Sequence, residues 1–530
     1  MHWVDAIAEE LMKRGKGHVV ASGTSISGQI HIGNAGDVIM ADGVCRSIKD
    51  RGGEAALLWI ADDSDPLRKI PKQLPADFDR LLGVPCYNLP CPEGHPHSFT
   101  AHFIGPFMDA LEKVGVRPRV KSGMEMYRNG EYEPLVKVSL EKAAQISDIL
   151  RRISGAEKAP DWLPFDPICE KCGKIATTHA YKWEEGKVHY RCVGGVAGRS
   201  RIEGCGFEGC TDLRHGKLTW RAEWAARWKI LGVTCEPFGK EHAASGGSYD
   251  TSKVIVSEVF GYPPPLPVIY EHILVGGKKM SKSLGNIVSL EDFLEVSPPE
   301  LMRFFFFRTK ATKHKDFDIS KNLLHLVEDY EHVERVYYGK DKPSPQEDES
   351  ELRRAYELSQ IDRPAQAFFQ VPYTHLVTIV QMAPSYEGVK WILQRNEQLG
   401  GLDHYWEGCL KAKVECVRAW VREYAPDEYV FAIQENLPTV ELDTKEKELL
   451  GRLTAYLVET EWTAEKLHST IHETGKALGL EAAQTFGALY KVILGKQRGP
   501  RMGYFLQSMD RAWVLRRLKE AAGQASAPTN

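Results

Sequence analysis

Two short apolar stretches flank one helical stretch near the start of the chain. HVVASG at 18–23 and AALLWIADD at 55–63 have the length and composition of buried strands. Between them, HIGNAGDVIMADGVCRSIKDRG has apolar residues at helical spacing. This order predicts a βαβ unit, and therefore a parallel sheet with a right-handed crossover. Ligands of such sheets bind at the carboxyl ends of the strands.

The rest of the chain divides by composition. At 530 residues it exceeds the length of a single hydrophobic core, so roughly two to four domains are expected. Strand signals return in VTCEPFG and LPVIYEHILVG, after a segment rich in Cys and Gly at about 160–215. From about residue 345 onward, apolar residues recur at three-to-four spacing. We therefore predict an α/β body followed by a helical domain.

Charge and hydropathy limit the class of protein. A net charge of −4 does not indicate nucleic-acid binding over the whole surface, so any such surface must be local. The sequence has no run of 18 apolar residues, and MHWVDAIAEELMKRGKG lacks the apolar core of a signal peptide. We expect a cytoplasmic protein without a membrane segment.

Two motifs predict a binding site for phosphates. In SGQIHIGN, glycines allow a close backbone approach just before a helix N-terminus, where His31 could donate to a phosphate. Considered alone, this stretch fits a capped turn with a half-buried histidine equally well. In GGKKMSKSLGN at 276–286, three lysines repel one another between glycines, which indicates that an anion binds there.

Together these motifs resemble a known family. HIGN at 31–34 and KMSKS at 279–283 are similar to the paired ATP motifs of class I aminoacyl-tRNA synthetases, the first differing from HIGH only in its last residue. Three further stretches, IADDSDPLRKIP, KLTWRAEWAARW and PFGKEHAASGGSYDTS, resemble the class I lysyl-tRNA synthetases found mainly in archaea and some bacteria. The resemblance covers most of residues 18–310.

The resemblance implies a domain plan. A Rossmann-like catalytic domain is expected over 1–290, with an inserted module at about 80–215 that contains a zinc knuckle at about 165–212. A connecting stem-contact region is expected over 291–345, and an α-helical anticodon-binding domain over 346–530.

The resemblance also implies a reaction, in which L-lysine and ATP with Mg²⁺ form lysyl-adenylate and lysine then passes to the 3′ terminal adenosine of tRNA(Lys). The expected catalytic residues are His31, Asn34, Lys279 and Lys282, the two lysines stabilising the departing pyrophosphate on a loop hinged by glycines. Around ATP the expectation adds Ile30, Gly33, Gly246, Gly247, Ser248, Met280, Ser281 and Ser283. Family members more often have aspartate where Glu241 stands.

A lysine substrate needs a carboxylate for its ammonium and an apolar wall for its stem. The expected lysine-binding residues are Gly23, Ser25, Asp62, Trp220, Glu223, His242 and Tyr270. Asp63 and Asp65 add negative charge nearby. An acidic pocket of this kind would also suit arginine or ornithine, and each aromatic residue fits a core position equally well.

Cysteine spacing predicts a structural zinc site. CEKC with later loop cysteines suits tetrahedral thiolate coordination by Cys169, Cys172, Cys192 and Cys205, which leaves Cys210 without a role. A looser group, Cys86, Cys91, His95 and His97, could bind a second ion, although a proline-rich surface loop is the favoured interpretation.

Residues 491–520 predict a contact with tRNA. This segment contains eight basic and two acidic residues. Tyr504, Phe505 and Trp513 are interleaved with them, which suits the stacking of unpaired bases. An amphipathic helix with snorkelling arginines is the alternative. For the whole chain, the rival interpretations are a synthetase for glutamate or arginine and a tRNA-binding paralogue without catalysis.

Overall fold

The computed structural model describes residues 1–71, 74–197, 200–280, 287–362, 368–400 and 403–523, without the side chains of residues 197, 200 and 279. The chain divides into two compact units. The first unit comprises Met1–Leu294, Pro299–Phe317 and Val333–Pro364, and the second comprises Glu295–Pro298, Asp318–His332 and Ala365–Asn530.

A five-stranded sheet forms the centre of the first unit. Its strands are β1 (Gly17–Ser25), β2 (Glu54–Asp62), β3 (Arg119–Ser122), β11 (Cys235–Gly239) and β12 (Leu266–Tyr270), numbered in chain order. All neighbours are parallel, in the order β12, β11, β1, β2, β3. This confirms the predicted α/β class and its parallel sheet.

The connections of β1 locate a ligand crevice. Helix α2 (Ile32–Asp50) links β1 to β2 on one side, and the chain later enters β11 on the other side of β1. Open α/β sheets bind ligands at the carboxyl ends of the strands, where the order reverses in this way. The crevice between β1 and β11 is therefore the expected site.

Close packing covers α2. A Cβ atom built on Gly36 would lie 2.4 Å from the ring of Phe306, and one built on Gly43 would lie 2.4 Å from the ring of Phe307. Both phenylalanines belong to helix α10 (Pro299–Phe307). Glycine at these two positions therefore allows α10 to approach α2 closely, which fixes the helix that begins at the predicted phosphate motif.

Helices and a small β module complete the first unit. The remaining strands are β4 (Phe165–Pro167), β5 (Thr178–Glu184), β6 (Lys187–Cys192), β7 (Gly194–Ala197), β8 (Ser200–Glu203), β9 (Glu208–Thr211), β10 (Gly216–Leu218), β13 (Ile273–Val275), β14 (Lys278–Lys279) and β15 (Lys315–Asp316). The helices are α1 (Trp3–Met12), α3 (Phe99–Lys113), α4 (Gly123–Arg128), α5 (Glu133–Glu141), α6 (Ala143–Ser154), α7 (Trp220–Leu231), α8 (Ser248–Glu258) and α12 (Glu349–Ser359). Strands β5, β6 and β9 form an antiparallel sheet in the cysteine-rich segment.

The second unit is helical, as predicted. Its helices are α13 (Tyr373–Ile379), α14 (Tyr386–Arg395), α15 (His404–Glu423), α16 (Thr444–Glu459), α17 (Ala464–Ala477), α18 (Ala482–Leu494), α19 (Met502–Ser508) and α20 (Arg511–Ala521). Helices α9 (Leu290–Val296) and α11 (Asn322–Tyr337) contain residues of both units. Apolar faces of α16 to α20 form one buried core. Within the described residues, no helix has both the length and the apolar character that crossing a membrane requires.

Candidate functional site

The start of α2 lies against both ends of the lysine-rich loop. The carbonyl of Val288 accepts a hydrogen bond from the amide of Ile32 at 2.9 Å. On the other side of the loop, a Cβ atom built on Gly33 would lie 3.4 Å from Cε of Met280. Residues 281–286 are outside the described part of the chain, and Met280 and Val288, which lie on either side of them in the sequence, both contact the N-terminus of α2.

His31 caps α2 and fixes its own tautomer. Its Nδ1 accepts a hydrogen bond from the amide of Gly33 at 3.1 Å. An accepting Nδ1 places the proton of a neutral imidazole on Nε2, which makes Nε2 a donor. The N-terminus of a helix attracts anions through its amides and its dipole. His31 and Asn34 both line the cavity that opens beside this terminus.

The lysine loop itself is only partly described. Gly276 and Gly277 have φ angles of +56° and +74° and form the two-residue turn between β13 and β14. Two consecutive positive φ angles fit a type I′ hairpin, which explains this glycine pair. Ser281, Lys282 and Ser283 are outside the described residues, as is the side chain of Lys279.

A cavity of about 450 Å³ opens at the carboxyl ends of β1 and β11. We call it the β1–β11 cavity. Six of the seven predicted lysine-binding residues line it, namely Gly23, Ser25, Asp62, Trp220, His242 and Tyr270. Glu223 is not among the lining residues and is fully buried, with 0% of its surface exposed. The structure therefore brings six of these residues to one cavity and leaves Glu223 outside its lining.

Glu223 is already bound by side chains of the protein. Its Oε2 lies 2.8 Å from Nζ of Lys217, and its Oε1 accepts a hydrogen bond from the hydroxyl of Tyr127 at 3.0 Å. Burial raises the pKa of Glu223, and the charge of Lys217 opposes that rise. Lys217 also pairs with Asp65, so this lysine compensates two carboxylates beneath the cavity.

A second buried cation, Arg227, pairs with Asp62. Its guanidinium donates to Oδ1 of Asp62 and, through Nε, to the hydroxyl of Tyr132 at 3.2 Å. Arg227 lies on α7, one turn after Glu223 and two turns after Trp220. Neither Arg227 nor Lys217 was predicted from the sequence, because charged side chains with 1% and 4% exposure are rare without partners that the sequence does not identify.

Aromatic rings form one wall of the cavity. Trp220 and Trp224 stack with their ring centroids 5.2 Å apart, and the ring of Phe238 lies 5.2 Å from that of Trp224. His242 lies edge-on to Trp224 at 5.5 Å. An aromatic wall of this kind can pack against the apolar stem of a bound side chain.

Two lining carboxyl groups were missed by the sequence interpretation, Asp37 and Glu236. Burial raises the pKa of Asp37 well above its usual range, although a hydrogen bond with Tyr270 opposes this rise. Burial also raises the pKa of Glu236 to about 7, against the opposing effects of Arg227 and two indole N–H groups. The spacing of Asp37 after His31 and Asn34 places it on the same face of α2, a signal that could have identified it.

The glycine-rich stretch GKEHAASGGSYD leads into helix α8. Gly247 caps α8, and the amide of Gly246 donates to Asp250 at 3.1 Å. Gly246 has a φ of +72°, and a Cβ atom there would lie 2.8 Å from the carbonyl oxygen of Ile153. Gly246, Gly247, Ser248, Gly33, Met280 and Ile30 are not among the residues that line the β1–β11 cavity, whereas Gly239 and Glu241 are.

The predicted cysteines meet at one point. The sulfur atoms of Cys169, Cys172, Cys192 and Cys205 all lie within 4.8 Å of one another. Cys169 and Cys205 are 3.6 Å apart, and Cys172 and Cys192 are 3.7 Å apart. Four converging thiols fit tetrahedral zinc. Cys210 lies on β9 and does not belong to this cluster.

A second group of possible metal ligands forms in the loop before α3. Cys91, His95, His97 and His102 place one ligand atom each within 4.8 Å of one another. Cys86 is not part of this group and is buried in a small apolar cluster. The fourth member is His102, which the sequence interpretation did not include. One thiol and three imidazoles also fit tetrahedral zinc.

This loop is bonded directly to the acidic end of β2. The amide of Cys86 donates to the carbonyl of Asp65 at 2.9 Å, and the amide of Tyr87 donates to the carbonyl of Asp63 at 2.8 Å. A metal bound nearby would therefore restrain the backbone that presents Asp65 to Lys217.

The helical unit has its own surface cavity. It measures about 610 Å³ and is lined by residues that include His468, Phe486, Tyr490, Arg501 and Tyr504. The rings of His468 and Phe486 stack at 4.9 Å. Tyr504 is 37% exposed, whereas Phe505 is fully buried in the core of this unit.

Comparisons with known proteins agree over the whole chain. A family model described as "tRNA synthetases class I (K)" matches residues 1–362, and one described as "Anticodon binding domain" matches residues 423–522. A lysine–tRNA ligase of Methanosphaera stadtmanae is 40% identical over 98% of this chain and 99% of its own. One from Archaeoglobus fulgidus is 38% identical over 98% and 100% of the two chains. Among solved structures, a glutamate–tRNA ligase from Elizabethkingia meningosepticum aligns at a TM-score of 0.38 and 14% identity, over 96% of this chain and 99% of its own.

Proposed function

The chain belongs to the class I lysyl-tRNA synthetases, and we propose that its β1–β11 cavity is where L-lysine reacts with ATP. As a lysine–tRNA ligase, it forms lysyl-adenylate and pyrophosphate and then transfers lysine to the 3′ terminal adenosine of tRNA(Lys). The contacts of Met280 and Val288 with the start of α2 support this location, since Met280 belongs to the second ATP motif and His31 and Asn34 at this helix start line the cavity.

ATP would lie at the N-terminus of α2. The helix amides and Nε2 of His31 would meet its phosphates, with Asn34 beside them. The lysine carboxylate attacks the α-phosphorus, the bond to the bridging oxygen breaks, and pyrophosphate leaves. Lys279 and Lys282 would stabilise the charge on that leaving group, together with the Mg²⁺ that accompanies ATP. The protein contributes placement and charge rather than a covalent nucleophile.

Lysine would occupy the inner part of the cavity. Trp220 and Trp224 would hold its methylene stem, and the backbone near Gly23 and Ser25 would face its backbone groups. His242 and Tyr270 line the same space. Five carboxyl groups and two arginines line the cavity, and this excess of carboxyl groups favours lysine over glutamate.

We also propose structural zinc. Cys169, Cys172, Cys192 and Cys205 supply four thiolates and leave no open position, so an ion there would hold the β5–β6–β9 module together. Cys91, His95, His97 and His102 supply a second complete set. Neither ion would take part in the chemical step.

The helical unit would bind the anticodon of tRNA(Lys). Exposed rings such as Tyr504 stack on unpaired bases, and exposed cations such as Arg498 and Arg501 meet phosphates. We propose residues 346–530 as this domain, 1–290 as the catalytic domain and 291–345 as the stem-contact region. The tRNA and ATP substrates of this protein support a cytoplasmic location.

Exchange of labelled pyrophosphate into ATP tests the activity directly. Exchange should depend on L-lysine and be weak with arginine, ornithine and glutamate. The assay needs parallel reactions with and without tRNA(Lys), because related synthetases with helical anticodon domains often need bound tRNA before activation. Exchange driven by another amino acid would reassign the specificity, and no exchange under either condition would favour a binding protein without catalysis.

A further inference from the structure

We infer that Glu236 is the carboxylate that receives the side-chain ammonium of the lysine substrate. The inference rests on the lysine activation proposed above and concerns which residue reads the end of the lysine side chain.

Glu236 lies deep in the β1–β11 cavity. It is the second residue of β11, a strand that is buried at every position, and it is itself 4% exposed. Around it are Trp224 and Arg227, which are 2% and 1% exposed. His31 and Asn34 line the same cavity at the start of α2. A substrate whose carboxylate lies at the α2 end would therefore extend its side chain towards Glu236.

The other deep carboxylates already have cations. Asp62 is paired with Arg227, and Asp65 is paired with Lys217. Glu236 instead accepts only neutral donors among the described residues. The indole N–H of Trp224 donates to its Oε1 at 3.1 Å, and that of Trp228 donates to its Oε2 at 2.6 Å. Each oxygen of a carboxylate has a further lone pair, so Glu236 can still accept from an ammonium group.

Two further carboxyl groups line the cavity. Glu241 is exposed and lies 3.6 Å from the imidazole of His272, whereas Asp37 is buried and has no cation in an ion pair among the described residues. Its Oδ1 has no hydrogen-bond partner in that part of the chain, and its carboxyl bonds to the hydroxyl of Tyr270. However, Asp37 follows Asn34 by one turn of α2, and burial raises the pKa of Asp37 well above its usual range, which disfavours the charged form that an ammonium group needs. Glu236 is therefore the carboxylate at the inner end of the cavity that can receive the ammonium group.

The surroundings of Glu236 fit the stem of lysine as well as its charge. The rings of Trp220, Trp224 and Phe238 form a continuous apolar wall, with neighbouring centroids 5.2 Å apart. An ammonium group at the end of this wall loses its water, so it needs a carboxylate there. The indole donors hold the carboxyl of Glu236 in place before the substrate arrives.

Protonation of Glu236 makes this contact pH-dependent. Burial raises its pKa to about 7, Arg227 and the two indoles oppose that rise, and Asp62 adds to it. The charged or titratable groups that face it are Arg227 from α7, Asp62 from β2, Asp37 from α2 and Tyr249 from α8, with Cys235 beside it in β11. Lysine binds the ionised carboxylate, so affinity should fall about tenfold for each pH unit below 7.

The test measures dissociation constants for L-lysine and for L-norleucine, which lacks only the ε-ammonium. Glu236→Gln keeps the size and one acceptor of the side chain. We expect it to weaken lysine binding by about 30-fold or more, the scale for losing one partner of a buried charge pair, while norleucine binding changes little. The pH dependence of lysine binding around pH 7 should disappear in this variant.

Glu258→Gln serves as the control, since Glu258 is an exposed carboxylate paired with Arg152 on the surface of the same unit. Equal losses of lysine and norleucine affinity in Glu236→Gln would overturn the inference, as would an unchanged lysine affinity. If the wild-type protein does not bind lysine at all, the proposed function itself fails. Binding of ATP by Glu236→Gln, measured separately, shows whether the variant is folded.

Discussion

The side chain of Met280 lies against Gly33, with 3.4 Å between the Met280 methyl carbon and the position that a Cβ on Gly33 would take. Eight residues later, the carbonyl of Val288 bonds to the amide of Ile32. The segment between these contacts contains Lys282. The described residues on either side of this segment therefore both contact the helix N-terminus at which we propose that the phosphates of ATP bind.

We expect Lys282→Ala to lower the rate of adenylate formation by about two to three orders of magnitude, the effect of losing one preorganised transition-state donor. Lysine affinity should hardly change, because the contact forms mainly as pyrophosphate leaves. Stopped-flow or quenched-flow measurement of a single turnover gives the rate. Lys278→Ala is the matched control, since Lys278 is an exposed residue of β14, four positions before Lys282 in the sequence. Equal effects of both substitutions would remove the specific role of Lys282.

The two metal clusters predict about two zinc ions per chain. Cys169→Ser should remove one of them and lower the thermal midpoint, because a structural metal site contributes its binding free energy to folding. Elemental analysis and calorimetry on the same sample measure both. Cys210→Ser should keep both ions, since Cys210 is on a neighbouring strand outside the cluster. Full zinc retention in Cys169→Ser would contradict the assignment.

Motif residues could be predicted because each chemical role depends on a local pattern. HIGN begins a helix, CEKC forms a knuckle, and Trp220 follows a strand that leads into the cavity. Partnerships between distant residues could not. The sequence suggested that the carboxylate of Glu223 binds the substrate, yet this carboxylate forms an ion pair with Lys217. That pairing depends on how α7 packs against the sheet.

The same reason explains why Glu236 was missed. Glu236 lies in the strand sequence VTCEPFG, where most residues are apolar. That stretch does not indicate the two indole groups that donate hydrogen bonds to Glu236. Phe505 shows the reverse case. Its place among the basic residues of 491–520 suggested stacking on unpaired bases, but neighbouring residues of a helix point in different directions, and Phe505 is buried in the core.

Asp62→Asn should destabilise the protein by about 3–5 kcal/mol, because it leaves the buried charge of Arg227 without its partner. Urea unfolding at neutral pH measures the change. The double variant Asp62→Asn with Arg227→Met should recover much of the loss, since no buried charge then lacks a partner. Glu258→Gln breaks an exposed pair and should cost less than about 1 kcal/mol. A loss in Asp62→Asn no larger than this control would show that the buried pair contributes little.

Gly36→Ala tests the packing of α10 on α2. Alanine is favoured over glycine in a helix by about 1 kcal/mol, but its Cβ would lie 2.4 Å from the ring of Phe306. Overpacking in a core costs about 1–3 kcal/mol and should exceed the helical gain, so we expect a lower free energy of unfolding. Gly105→Ala in α3 has no atom within 4 Å of the added carbon and should be stabilising. Stabilisation by both would show that α10 moves away without cost.

Substitutions in the cavity of the helical unit should separate anticodon binding from catalysis. Arg501 and Tyr504 line the cavity of the helical unit, so the double variant Arg501→Ala with Tyr504→Ala should raise KM for tRNA(Lys) in aminoacylation. Loss of one stacked base costs about 1–3 kcal/mol, which corresponds to an increase of about 5- to 150-fold. Arg452→Ala is the control, because Arg452 is exposed on α16, lies outside residues 491–520 and does not line this cavity. Equal binding of tRNA by wild type and the double variant, measured by filter retention at one salt concentration, would place the anticodon elsewhere on the helical unit. Salt must be held constant because phosphate contacts weaken steeply as it rises.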